Sequence, residues 1–278
     1  MPSLDLEYPK QPYNKVNRYD SRATYALETI HQIVNACPIL HVSFNVPDSP
    51  FPTVLPMIGQ MGSFDRPSAD TGDVLELYLH GYVSSRFMNL SRNASRGTAA
   101  PGEEEGLPIC VAASQVDGLV LSLTPNSHSY NYRSASLFGH AKMVTDIEEK
   151  IYAMELITNS VVRDRYRHTR VPPNAAEMQS TSVLRVKISA GSAKLRTGST
   201  NDEKADKENS ELLDKVWTGV VPVHYTLGEP IPGPYNKVDK VPQYLREFVT
   251  DFNSHAKELA TEDALKPMAA KSKHDHDD

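Results

Sequence analysis

Apolar residues in this chain recur mainly at every second position, the pattern of a β protein. The clearest case is Val74–Phe87 (VLELYLHGYVSSRF), where Leu75, Leu77 and Leu79 alternate with Glu76, Tyr78 and His80. Alternation places the two sets on opposite faces of a strand. Gly81 ends the run, and Ser84 and Ser85 stand where a helix cap belongs, just before Arg86. The stretch predicts a strand, a glycine turn and a helix start. Further strands are predicted over 39–46, 53–58, 109–114, 119–123, 134–144, 181–198 and 217–225. Pro56 inside the second of these marks an edge or a bulge. Asp117-Gly118 reads as the turn of a hairpin joining 109–114 to 119–123.

Helical spacing is rarer. Leu27, Ile30 and Val34 predict a helix from Asp20 or Ser21 that stops before Pro38. Phe87, Met88 and Leu90 follow the serine caps. A capping box at Thr145–Glu148 opens a helix carrying Ile147, Ile151, Met154, Thr158 and Val161. Leu245, Phe248, Val249 and Phe252 predict a C-terminal helix within 241–259. Strands mostly follow one another without helices between them. That order predicts a mainly β fold, an antiparallel sheet or barrel with appended helices. Residues 1–17 read as an extended polar arm and 18–260 as a single domain. Residues 261–278 read as a disordered tail, while 92–106 and 200–211 read as polar surface segments.

Charge and composition narrow the function. A net charge of −6 argues against nucleic acid and anionic membranes as partners. Two cysteines, Cys37 and Cys110, make neither a disulfide framework nor a zinc set. Reduced thiols, no apolar leader and no membrane-length apolar run predict a cytoplasmic protein. The Asn89 and Asn93 sequons then read as incidental. No G-x-G-x-x-G, Walker or G-x-S-x-G pattern is present.

Three polar clusters carry candidate chemistry. His80, Ser85 and Arg86 gather an imidazole, a hydroxyl and a guanidinium at a glycine turn, a set suited to a phosphate group or to a plain strand-to-helix connection. Ser127–Ser134 holds Asn131, Arg133 and Ser134 beside two tyrosines. That density suits an aromatic phosphorylated ligand or a self-bonded loop. Lys194 and Arg196 share a face before Gly198, as a binding pair or a solvated one. Trp217, the only tryptophan, is a core anchor or a face for a flat ligand. His80, His128 and His140 lack metal-site spacing.

In collinear order, RYDSRATYALETIHQIVN, HVSFN, PTVLPMIG, LYLHGYVSSR, DGLVL, HSYNYRSASLFGHAKMV, TSVLRVKISAGSAKLRTG and WTGVVP resemble a known group. It is the flavin-nucleotide-binding branch of the pyridoxamine 5'-phosphate oxidase-like split barrels, which includes the nitroimidazole-resistance proteins. The likeness runs over about residues 18–225. It implies a six-stranded antiparallel split β-barrel, a homodimer, and FMN held in clefts between the subunits. The implied activity is that of an oxidoreductase on a small molecule. On this resemblance the backbone of Val54, Pro56 and Met57 edges the flavin ring. His80, Ser85 and Arg86 meet the ribityl phosphate region. Asn131, Arg133 and Ser134 meet the phosphate or ring, and Lys194, Arg196 and Trp217 close the site. The vitamer oxidases carry an R-x-x-L-L-K-type strand and an S-R-K helix start. Here TVLPMI lacks the lysine and Ser84-Ser85-Arg86-Phe87 replaces the helix start. The departure leaves two other readings: a haem-binding or haem-degrading barrel with His80 or His128 as axial ligand, and a non-catalytic flavin carrier.

Overall fold

The computed structural model describes residues 6–95 and 105–267. The centre of the predicted 92–106 segment, and the tail from residue 268 on, lie outside the described residues. Nine strands form one sheet among the described residues. They are β1 (Ala23–Thr24), β2 (Leu40–Phe44), β3 (Thr53–Met57), β4 (Gly59–Gly62), β5 (Glu76–Tyr82), β6 (Leu107–Leu121), β7 (Ser129–Met143), β8 (Thr181–Arg196) and β9 (Gly219–Pro222). The helices are α1 (Leu27–Ala36), α2 (Arg86–Ala94), α3 (Ile147–Val161), α4 (Ala175–Ser180), α5 (Lys204–Lys207), α6 (Ser210–Lys215) and α7 (Gln243–Leu265). The sheet runs β3-β2-β6-β7-β8-β5-β4, with β1 on β8 and β9 on β6. Every strand pair with a stated register is antiparallel. The mainly β, helix-appended architecture stands. The strand count exceeds the six that the resemblance implies; β9 lies within the predicted 217–225 strand, while β1 and β4 are short pieces with little periodic signal.

Two local expectations are corrected. The predicted hairpin at Asp117-Gly118 does not form, because β6 runs unbroken through it. Asp117 is buried, and its carboxylate is neutralised by Arg133. A Cβ on Gly118 would stand 2.8 Å from Val220 Cγ1, so the glycine admits β9 rather than turning the chain. The first helix starts at Leu27 rather than Asp20. Residues Asp20–Arg22 form one 3-10 turn, and Ala23 and Thr24 pair with Lys194 and Ala193. Cross-strand pairing outweighs local helix propensity there. The C-terminal helix, conversely, continues past residue 260 to Leu265.

The chain divides into two compact units. The first holds the segment up to Asn17 with Ala23–Ser114 and Ser134–Lys194. Its core is the β5–β8 pair. Leu77 faces Val186 and Leu79 faces Leu184, and all four are fully buried. Burying each such side chain contributes roughly 2 kcal/mol. The opposite face of β5 is covered by α3, through Tyr78, Val144, Ala153, Ile157 and Val183. Tyr78 Oη and Arg185 Nη1 each donate to Glu149 Oε1 at 3.0 Å, which satisfies the buried carboxylate. Gly62 lets α3 approach, since a Cβ there would meet Leu156 Cδ2 at 2.6 Å.

Helix α1 buries Leu27, Ile30, His31, Ile33 and Val34. His31 Nδ1 lies 2.8 Å from Thr71 O and Nε2 lies 2.7 Å from Tyr8 Oη. A carbonyl only accepts, so Nδ1 carries the proton and Nε2 accepts from the phenol. The arm is therefore tied down through Tyr8. Burial holds the His31 pKa below its ordinary value, the Thr71 carbonyl opposing.

The second unit comprises Arg18–Arg22, Gln115–Arg133 and the chain from Leu195 on. Leu119 and Val120 pair with Val221 and Val220. Asp202 Oδ1 accepts from Leu123 N at 2.7 Å, and Gly198 N donates to Asp263 O at 2.7 Å. Asn253 bonds both the N–H and the carbonyl of Leu227.

Because the folded state lowers the His31 pKa, the unfolded chain binds the proton more readily. Stability from this site is complete above about pH 6.5 and falls as pH drops through the folded pKa. His31→Gln should flatten that limb of a melting-temperature profile between pH 7 and 5. Tyr8→Phe should destabilise by about 1–3 kcal/mol in denaturant melts, as it leaves Nε2 without a donor.

Candidate functional site

In the first unit, β3 is the terminal strand of the main path and pairs with β2 alone among the strands of stated register. Val54 and Pro56 are exposed. Pro56 has no N–H and blocks continuous addition of another strand, while the carbonyls of that edge stay open. Strand β5 brings His80 and Gly81 beside this segment. A Cβ on Gly81 would meet Met88 Cε at 2.8 Å and Met57 Cε at 3.7 Å, so both thioethers crowd the glycine. Met57 and the His80-Gly81 corner are thus brought together. His80 keeps an exposed edge, and desolvation of its ring lowers its pKa, so it is neutral at pH 7.

Helix α2 starts at this corner as the serines predict. Ser85 Oγ caps it, accepting from Met88 N at 3.3 Å. Arg86 is exposed at the first helical position, where the helix dipole favours an anion. Elsewhere in the first unit, Ser134 Oγ donates to Lys194 O at 3.1 Å across β7 and β8. Its hydroxyl proton is committed to the sheet.

The other candidates lie in the second unit. Arg133 donates from Nε and Nη2 to the two Asp117 oxygens, both at 2.9 Å, and from Nη2 to Gln115 Oε1 at 2.7 Å. This fork is neutralised within the fold. Asn131 is fully buried: Nδ2 donates to Gly198 O at 3.0 Å and Oδ1 accepts from Arg196 Nη1. Trp217 is 67% exposed, and its six-membered ring lies over Gly219, where a Cβ would come within 2.7 Å of Cη2. Glycine there seats the indole with its outer part open, which is the arrangement of a stacking surface rather than a core anchor. Asp117 and Gln115 were missed as partners of Arg133. The only sequence signal was an acid sixteen residues before an arginine, and that acid was read as part of a turn.

Among the described residues no cluster of three metal-ligating side chains exists, and no helix is long and apolar enough to cross a membrane. The sequence profile described as pyridoxamine 5'-phosphate oxidase matches residues 27–195, more than half of the chain. The chain belongs to the pyridoxamine 5'-phosphate oxidase family. No curated protein sequence gives a significant match.

Two solved structures are similar over more of the chain than the profile matches. One is the flavocytochrome Anf3 from Azotobacter vinelandii, 27% identical with a TM-score of 0.66, covering 86% of this chain and 97% of that one. The other is the FAD and haem binding protein from Mycobacterium smegmatis, 22% identical with a TM-score of 0.65, covering 82% and 97%. The likeness to the second concerns the fold.

The Arg133–Asp117 bridge should be structural. Asp117→Asn should cost about 3 kcal/mol in chemical denaturation, since it leaves a half-buried guanidinium without its counter-charge. Replacing both residues by apolar ones of similar volume should recover much of that loss.

Proposed function

We propose that this protein is a flavin-dependent oxidoreductase acting on a small molecule, with FMN held at the interface of a homodimer. The observation that carries the reading is membership of the pyridoxamine 5'-phosphate oxidase family across residues 27–195. The residue types fit the group. An open strand edge at Val54, Pro56 and Met57 offers backbone groups to a flavin ring. Arg86, on the capped start of α2, offers a guanidinium to a phosphate, with His80 and Ser85 beside it. Ser134 and Lys194 hold the β7–β8 wall in register. Bound flavin supplies the electron chemistry, and the protein orients it and shapes the substrate pocket. Asn131 and Arg133 lie in the second unit, and their polar groups are taken up by bonds within it.

A second reading has specific support. Both solved structures described above are of proteins named for a haem group or a flavocytochrome, and one is named for FAD. A neutral, partly exposed His80 is the form of imidazole that ligates haem iron. The two readings separate in one spectrum. Purified protein should show flavin absorption, and denaturation should release FMN, identified by chromatography. Release of FAD would change the cofactor and keep the flavoprotein reading. A Soret band lost in His80→Ala would add haem. A colourless protein that takes up neither FMN nor FAD would remove the oxidoreductase.

Arg86→Ala should weaken FMN retention at least tenfold in equilibrium dialysis. Arg167→Ala, at an exposed ion pair with Asp164, should leave retention unchanged. Equal retention by both variants would take Arg86 out of the site.

A further inference from the structure

Between β9 and α7, residues 223–242 run without helix or strand. Connections that long within a compact unit are uncommon, and ordered ones usually carry function. This one is held in shape. Val223 N donates to Asp117 O at 3.0 Å, and Leu227 N donates to Asn253 Oδ1 at 2.7 Å. Further on, Pro230, Pro232 and Pro234 each fix a backbone angle. Asn236 N then donates to Gly233 O at 3.0 Å, and Asn236 Nδ2 to Val238 O at 2.9 Å, which closes a turn.

The side chains on this segment are those of an interface. Every residue from 231 to 240 is exposed. Ile231 is 91% exposed and Tyr235 88%, and Tyr225 and Val238 are each more than half exposed. Single apolar residues on a surface are ordinary. Four in sequence on a stiffened segment are not, because stiffness lowers the entropy lost when the segment is immobilised against a partner. Tyrosine is also among the side chains that dominate binding energy at interfaces.

We infer that residues 223–242 form a strap that seats on a second copy of this chain, each copy giving one strap and receiving one about a two-fold axis. Area favours that occupant. Covering the four apolar side chains removes roughly 600 Å² from the strap, and about as much from whatever receives it. One such contact, at roughly 1,200 Å² in total, is the low end of specific association, whereas two related by symmetry reach about 2,400 Å², within the range of stable homodimers. Charge agrees. Glu229 and Asp239 are balanced by Lys237 and Lys240, so the strap is neutral in a chain of net charge −6. It meets a like copy without repulsion and offers a strongly charged partner nothing to match. The inference rests on the homodimer proposed above and gives it a contact outside residues 27–195 of the family match.

The experiment follows the mass of the full chain by analytical ultracentrifugation through a dilution series. The natural sequence should sediment as a dimer. Ile231→Ser with Tyr235→Ser should weaken self-association at least about a hundredfold, with the far-ultraviolet circular dichroism unchanged. Ile147→Ser, at an exposed apolar residue on α3, should leave association as it was. A photoreactive phenylalanine analogue in place of Tyr235 should crosslink one chain to another when isotope-labelled and unlabelled copies are mixed. A dimer that survives the double substitution, or crosslinks confined to one chain, overturns the strap and leaves the homodimer standing. Equal weakening by Ile147→Ser also overturns the strap. A natural sequence that sediments as a monomer overturns strap and homodimer together, and a probe at Tyr235 that then captures a different protein assigns the segment to that partner instead. Flavin content, read by absorbance from the same samples, tests the cofactor separately.

Discussion

Pairing along β8 is the constraint on which the rest of the structure depends. Thr181–Arg196 stays extended for sixteen residues because it has hydrogen-bonded neighbours on both sides. Its register with β5 fixes where His80 and Gly81 emerge, and its register with β1 sets Ala23 against Lys194 and Thr24 against Ala193. A slip of one residue would turn Val183, Leu184 and Val186 to the wrong faces. Full burial of those side chains is what forbids the slip.

Buried charge is handled in three ways. Glu149 is satisfied by a phenol and a guanidinium, and Arg133 by a bidentate carboxylate. Arg196 receives only neutral acceptors. The first two arrangements are closed, with donors and acceptors matched inside the protein. The third leaves the guanidinium held by neutral acceptors alone, the costlier arrangement for a buried charge.

The strand edge at β3 has a comparable logic. An open edge invites another strand, with aggregation as the hazard. Pro56 removes a donor from that edge and spoils the ladder without closing off its carbonyls. Gly81 contributes by absence, leaving room for Met57 and Met88 at the corner where the strand meets α2.

The sequence by itself determined whatever depended on local periodicity. The alternation around Leu75–Leu79, the serine cap of α2 and the long run of β8 are physical properties of short segments, and the structure bears each of them out, whereas α3 is capped by Asp146 and not by the predicted Thr145–Glu148 box. Pro56 marked an edge for the same reason: one missing N–H is a local fact. Tertiary structure decided what depended on partners far along the chain. Asp117-Gly118 has the composition of a turn, yet Arg133 on one side and β9 on the other hold it straight. Ser21–Thr24 has no strand signal, yet β8 captures its end as β1. The fates of Arg133 and Arg196 were equally hidden. Two arginines in similar polar runs differ only in whether a carboxylate lies opposite, and opposition across a sheet is a matter of register.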